Sequence, residues 1–239
     1  MHPIDRHEKV VLQFSGGKDS IACLLLLKPW WHKITVVWVN SGDAFPETIA
    51  QMKDVRAMVP NFLEVKSNQP RQIANNGYPV DVLPIRASSY GKRVEPNDLP
   101  LMQAYANCCD QNLWFPMQQA CKELGVTLII RGTRLSDSKK AKCRSGDIVD
   151  GVEYFFPIEN MSDHDVLEFV SDSSLLPRNY PQMKTSLDCK MCTAYLCDNK
   201  EKLPYLRQYH PKIYAELTGR ITEIKHAVKT ELAYIEGVL

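Results

Sequence analysis

No stretch of this chain approaches the roughly eighteen consecutive apolar residues that a membrane-spanning helix needs. Its opening, Met1-His2-Pro3-Ile4-Asp5-Arg6-His7-Glu8-Lys9, lacks the apolar core of a signal peptide. A cytoplasmic protein without membrane association is therefore expected. Charge of one sign is also missing: 29 Lys and Arg against 28 Asp and Glu leave a net +1. No global field draws the chain to nucleic acid or lipid, so any anion-binding patch must be local. Internal repeats and low-complexity tracts are absent, which excludes solenoids and disordered scaffolds. What remains is ordinary globular material, 44% hydrophobic and 24% charged over 239 residues. That is enough for one sizeable core with a small appended subdomain.

One stretch organises the reading. Val10-Val11-Leu12 is a short apolar run typical of a buried parallel strand, and Ile21 to Leu27 is rich in good helix formers. Between them stand Ser15-Gly16-Gly17-Lys18-Asp19-Ser20. Strand, glycine turn and helix together aim backbone N–H groups at an anion. Gly16 and Gly17 permit the tight turn and close approach, Lys18 adds a mobile positive charge, and Ser15 and Ser20 add hydroxyls. Asp19 suits the helix dipole as a cap and is also a candidate magnesium ligand. The four-residue spacer of a Walker A loop is missing before Gly17-Lys18. A bland strand-to-helix turn is the competing reading.

Further along, strands are expected at 33–39, 61–66, 126–130 and 152–157, with helices at 46–58 (Pro46 in its first turn), 114–124 and from Ser162 to about Ser171. Ser162-x-x-Asp165 has the form of a capping box with Asp in place of Glu. Strands alternating with helices predict an α/β fold: an open parallel five-stranded sheet, helices on both faces, ligand at the strands' carboxyl ends. A nucleotide-binding domain is expected over 1–176. Its 67–109 segment is rich in Pro, Asn, Ser and Gly, shows no clear period, and reads as a lid or substrate-binding excursion. Arg71, Arg86, Lys92 and Arg93 there are candidate substrate contacts, with a solvated surface run as the alternative. Residues 177–239 form a cysteine-containing segment and a final helix from about Pro211 to Glu236. Its stripe, Ile213, Leu217, Ile221, Ile224, Val228, Leu232 and Ile235, suits docking on its own chain or, alternatively, a homodimer contact.

After the fourth strand, Arg131 to Arg144 is densely basic, and its charges would repel one another unless an anion lay among them. Arg134, Lys139 and Lys140 are candidates for phosphate or an acidic substrate. Flanked by Lys142 and Arg144, Cys143 is expected to favour its thiolate and could carry a persulfide; an incidental surface thiol is the alternative. Of eight cysteines, Cys23 and Cys121 fall in helical apolar patterns as core residues. Cys108-Cys109, Cys189-x-x-Cys192 and Cys197 stand apart as candidate metal ligands, since structural disulfides are rare in a reducing compartment.

The Ser15–Ser20 stretch resembles the SGGKDS signature of the PP-loop ATP pyrophosphatases. Ser41-Gly42-Asp43-Ala44-Phe45-Pro46-Glu47-Thr48 resembles the D-T-G-x-x-F-P-E-T stretch of the phosphoadenosine phosphosulfate (PAPS) reductase-like branch. Gly132-Thr133-Arg134-Leu135-Ser136-Asp137-Ser138 looks like that branch's G-x-R-x-x-E-S motif, with Asp137 in place of Glu. The resemblance implies a Rossmann-like fold of the adenine nucleotide α-hydrolase type. It further implies ATP and Mg2+ bound by Ser15 to Ser20 with Asn40, Ser41, Asp43 and Gly132, and Lys18, Asp19 and Arg134 as catalytic candidates; Cys143 is a separate catalytic candidate, on its basic neighbours alone. Cys108, Cys109, Cys189 and Cys192 resemble the set that binds a [4Fe–4S] cluster in assimilatory sulfonucleotide reductases. Zn2+ is the alternative metal, and Cys197 in place of Cys108 an alternative ligand, as in the iron–sulfur subunit of DNA phosphorothioation systems.

Two departures bear on the reaction. Those reductases carry a nucleophilic cysteine in a C-terminal E-C-G-x-H tail, whereas Cys197 is the last cysteine here. Their first loop is generally degenerate and lacks the lysine, whereas Lys18 and both glycines are present. The expected activity is therefore cleavage of ATP to AMP and pyrophosphate, adenylating an acceptor for sulfur transfer. Expected partners are an acidic acceptor, tRNA or DNA in related enzymes, and a sulfur donor protein. The alternatives are sulfonucleotide reduction to sulfite, with Cys143 or Cys197 attacking, and a non-catalytic nucleotide-binding subunit.

Overall fold

The computed structural model describes residues 2–137, 142–177, 179–180, 182–183, 189–197 and 200–237. In chain order the elements are β1 (Val10–Gln13), α1 (Lys18–Leu26), β2 (Ile34–Asn40), α2 (Pro46–Met58), β3 (Phe62–Lys66), α3 (Gln69–Asn76), β4 (Tyr78–Val80), α4 (Ser89–Val94), β5 (Met102–Ala104) and α5 (Tyr105–Cys109). A π-turn over Asp110–Trp114 leads to α6 (Phe115–Glu123), then β6 (Leu128–Ile130), β7 (Ile148–Val149), β8 (Val152–Phe155), α7 (Asp163–Val170), α8 (Lys202–Tyr209) and α9 (Pro211–Glu236).

These elements fall into two compact units. The first comprises Met1–Asn40, Phe45–Lys66 and Phe115–Tyr180; the second comprises Ser41–Ala44, Ser67–Trp114 and Pro181–Leu239. The boundary thus differs from a single division near residue 176, because 67–114 groups with the cysteine segment and final helix.

In the first unit the strand order is β3-β2-β1-β6-β8-β7. Every neighbouring pair is parallel except β7 with β8. The five expected strands are all present. The sixth, at one edge, returns through Asp150-Gly151, with φ of 52° and 79°. Two consecutive positive φ values are what a tight hairpin turn requires, and an Asp-Gly pair adopts them at low cost. The inner strands are apolar on both faces, with Leu12, Val37, Leu128 and Ile130 fully buried. Ser162 and Asp165 form the expected capping box at the start of α7.

In the second unit β4 and β5 make a two-stranded parallel sheet. Helix α9 lays Ile224 and Ala227 against Val80, Ala87 and Met102. Its apolar stripe is therefore covered by its own chain as far as Val228, while Leu232 and Ile235 lie exposed. The basic residues of the 67–109 segment are less available than their number suggests. Arg86 pairs with Glu95, and Lys92 Nζ donates to the Asn97 carbonyl at 2.7 Å. Arg71 and Arg93 are exposed.

Candidate nucleotide site and the cysteine set

The Gly-Gly-Lys turn follows β1 directly, and α1 begins at Lys18 with Gly17 as its N-cap. Gly16 has φ +85°, and a Cβ there would come within 2.3 Å of Gln51 Oε1, so no larger residue fits. The turn is closed from inside. Ser20 Oγ donates to the Gly17 carbonyl at 2.8 Å and accepts from Gly16 N at 3.1 Å. Gly17 N donates to Ser15 Oγ at 3.3 Å. From α2, the buried Gln51 donates its amide to the carbonyls of Gly16 (2.9 Å) and Leu175 (2.8 Å). The next amide, Lys18 N, donates to Tyr180 Oη at 2.8 Å.

Three segments converge on the side chain of Lys18. Gly132 brings the loop after β6 so close that a Cβ there would lie 2.7 Å from the Asp19 carbonyl carbon. This approach delivers Arg134, and the start of α7 delivers Asp163. Lys18 Nζ contacts Asp19 Oδ2 at 2.9 Å and Asp163 Oδ1 at 3.0 Å. Arg134 contacts Asp19 Oδ1 (3.1 Å), Asp137 Oδ1 (3.0 Å) and that same Asp163 Oδ1 (3.1 Å). The Arg134 contacts through Nε and Nη1 are charge contacts without good hydrogen-bond geometry. Both cationic side chains are nearly buried, at 6% and 8% exposure, whereas Asp163 is 56% exposed. Burial pushes the Asp163 carboxyl up, but Lys18 and Arg134 outweigh it and hold it below the usual carboxylate range. Burial likewise opposes the charge on Arg134, and Asp19, Asp137 and Asp163 more than offset it.

Among the described residues of the basic loop, two cations already have carboxylate partners. The chain's own carboxylates match Arg134, and Arg144 Nε pairs with Glu159 at 2.8 Å. Lys139 and Lys140 lie outside the described residues. Cys143 departs from expectation: burial, then Asp147 and Glu159, push its thiol up, and Arg131 opposes them only in part. It lines a cavity of about 300 Å³ with Arg134, Arg144, Phe156 and Glu159.

Asn40 Nδ2 donates to Glu64 Oε1 at 2.8 Å within the first unit. Ser41 and Asp43 belong to the second unit, beside the cysteines. Asp43 is almost fully buried and organises the Cys189-x-x-Cys192 turn: it accepts from Met191 N at 2.8 Å and pairs with Lys190 Nζ at 2.9 Å. Ala44 forms a bridge with Cys189, and Ser41 Oγ lies 3.5 Å from Cys189 Sγ. From α8, buried Lys202 donates to the carbonyls of Cys189 (3.1 Å) and Cys192 (3.2 Å). Cys108 Sγ accepts from Gln69 Nε2 at 3.4 Å and Asn112 Nδ2 at 3.8 Å; burial pushes its thiol up and these amides oppose that. Cys109 Sγ lies 3.9 Å from Tyr195 Oη. Asp81 fixes Tyr195, at φ +59°, by accepting from the amides of Tyr195 and Leu196.

As metal sites these groups fit only in donor type. Cys108, Cys109, Cys189 and Cys192 supply sulfur of the right kind and number from one unit, and Cys197 is exposed. Among the described residues, however, no three Cys, His, Asp or Glu side chains form a group that could hold an ion. Asp19 is engaged by Lys18 and Arg134, and Asp43 by Lys190 and Met191, so neither is arranged as a magnesium ligand.

Asp163, Gln51, Tyr180, Asp81 and Lys202 were not foreseen as site residues. For Asp163 a signal existed, since the capping box marks where its helix begins. The other four act across 35 to 162 residues of sequence or on backbone atoms, which no local pattern reports.

No helix among the described residues is long and apolar enough to cross a membrane. No curated protein matches the chain. A phosphoadenylyl-sulfate (PAPS) reductase from Candida auris, solved as a phosphate complex, is similar at 18% identity and a TM-score of 0.46, over 72% of this chain and 75% of that one. The model of the phosphoadenosine phosphosulfate reductase domain matches residues 9–195, most of the chain, and the protein belongs to that family.

Proposed function

We propose that this chain is a PP-loop ATP pyrophosphatase of its family, which splits ATP between the α and β phosphates to adenylate an acceptor for sulfur transfer. The observation that carries this reading is the pair of buried cations beside the glycine turn, Lys18 and Arg134, touching one carboxylate oxygen, Asp163 Oδ1. A polyphosphate oxygen would take the place of that largely exposed carboxylate, while Asp19 and Asp137 keep their own contacts to the two cations. In the reaction an acceptor oxygen attacks the α phosphorus and the bond to the β,γ-diphosphate breaks. Pyrophosphate leaves with the electron pair, and Lys18 and Arg134 balance its charge. A sulfur nucleophile then displaces AMP from the acceptor. Gly16, Gly17, Ser15 and Ser20 shape the turn, and Asp19 holds both cations in place. Magnesium would enter on the phosphate oxygens of the nucleotide. In this reading Asn40 and Gly132 serve adenine or phosphate binding, Lys139 and Lys140 meet an acidic acceptor such as tRNA or DNA, and a partner protein donates the sulfur.

Cys108, Cys109, Cys189 and Cys192 are the residues that would supply thiolates to a [4Fe–4S] cluster or, alternatively, zinc, although they do not form a metal-holding group as they stand, and no chemical step is assigned to either. The anaerobically purified protein is expected to absorb broadly near 400 nm, as iron–sulfur clusters do; a colourless protein containing zinc would exclude the cluster.

Family membership favours a second reading, sulfonucleotide reduction. Its remaining nucleophile candidates are Cys143, with its raised thiol, and exposed Cys197. One assay separates the two: pyrophosphate release from ATP, against sulfite release from APS or PAPS with thioredoxin as reductant. Pyrophosphate release that is lost in Lys18→Ala is the expected result. Sulfite without pyrophosphate would overturn the proposal.

A further inference from the structure

The backbone donors of the glycine turn are not open. Ser20 Oγ takes Gly16 N, Ser15 Oγ takes Gly17 N, and both hydroxyls come from within four residues of the amides they accept from. The Lys18 amide is different. Its acceptor, Tyr180 Oη at 2.8 Å, comes from 162 residues away in sequence, and Tyr180 is 9% exposed. Lys18 is the first residue of α1, so its amide has no acceptor within the helix and faces the positive end of the helix dipole. A neutral phenolic oxygen is a weak occupant of such a position, where an anionic oxygen binds more strongly. The same stretch grips the turn a second time, since the Leu175 carbonyl is tied through Gln51 to the Gly16 carbonyl. Gln51 bonds only to the carbonyl side of the turn, which an incoming anion does not use. Tyr180 bonds to the donor side, which an anion does use.

We propose that the Tyr180 hydroxyl occupies the position of a phosphate oxygen on the Lys18 amide and is displaced when nucleotide binds, making Tyr180 the residue that sets the affinity of the turn. This rests on the reading that the turn binds nucleotide phosphate. Gln51 then keeps the turn's shape in both states, while Tyr180 leaves it in one. Removing the hydroxyl removes a competitor, so nucleotide affinity rises. Had the hydroxyl instead been part of the bound state, donating to phosphate, its removal would lower affinity.

The test uses the full chain and titration calorimetry with ATP and magnesium. Wild type is expected to bind ATP, Lys18→Ala to lose that binding, and Tyr180→Phe to bind about two- to tenfold more tightly than wild type, the worth of one neutral hydrogen bond. Tyr180→Phe should also lower the melting temperature without nucleotide, and saturating ATP should abolish the difference. A merely structural tyrosine would leave the loss in place. Unchanged or weaker ATP binding by Tyr180→Phe, with Lys18→Ala still defective, overturns the role of Tyr180 and spares the functional reading. Equal binding by wild type and Lys18→Ala, or none by wild type, overturns that reading and this inference with it. Should the phenylalanine variant fail to fold, 3-fluorotyrosine at position 180 reports on the intact chain. Its 19F resonance should shift on adding ATP, and an unmoved resonance under saturating nucleotide overturns the proposal.

Discussion

Replacing Lys18 with methionine keeps most of the side chain's length and deletes its charge. Two cations, Lys18 and Arg134, now meet three carboxylates, Asp19, Asp137 and Asp163. The variant leaves three carboxylates around a single guanidinium. Breaking a fully buried ion pair from one side costs about 3–5 kcal/mol, and an exposed pair is worth about 0–1 kcal/mol. Lys18 is only 6% exposed, but Asp19 is 28% and Asp163 56% exposed, so water screens much of the loss. A cost of about 1–3 kcal/mol at pH 7 follows. It should also depend on pH in a definite direction. The Asp163 carboxyl is held low in the folded protein, so its stabilisation is present above the unfolded value of about 3.9 and is lost as pH falls through the lower folded value. In Lys18→Met that depression is reduced. The stability difference between the two proteins is therefore full at pH 5 to 7 and shrinks below about pH 4. Urea unfolding at pH 7, 5 and 3.5 measures it. A variant as stable as wild type at pH 7, or a cost that does not change with pH, would refute the reasoning. Pyrophosphate release should also fall by about a hundredfold or more, as when one preorganised transition-state donor is removed.

Gln51→Ala strips the donor from two buried carbonyls and leaves a small cavity over Gly16, so it should cost about 2–4 kcal/mol in urea unfolding. Gln51→Glu, which keeps the size but cannot donate when ionised, should not restore the loss. Asp43→Ala releases Met191 N and Lys190 from the turn between Cys189 and Cys192. Both thiols should then react faster with an alkylating reagent in metal-free protein, whereas Cys23, fully buried in the other unit, should stay protected.

Much of the first unit was legible locally. Its strands are continuous apolar runs because both faces are covered, α2 begins at a proline, and α7 begins at a capping box. The edge strand Ile148–Val149 was missed because two residues carry no periodicity, although the Asp150-Gly151 pair after it is a recognised hairpin signal. The segment 67–109 read as structureless because its elements are short: strands of three residues and helices of five to eight. Such pieces are held by the sheet of β4 and β5 and by α9 packed on it, not by their own pattern.

The order of residues fixed which groups are available: the glycine turn with Lys18, Arg134 after the fourth expected strand, and paired cysteines at 108–109 and 189–192. Tertiary structure alone decided how they are used. It matched Arg134 and Lys18 with Asp163, turned Asp43 toward the cysteine turn, raised the Cys143 thiol, and set Tyr180 on the Lys18 amide. The physical reason is that charge pairing and hydrogen bonding act over about 3 Å of space, and in this chain the partners are separated by up to 162 residues of sequence.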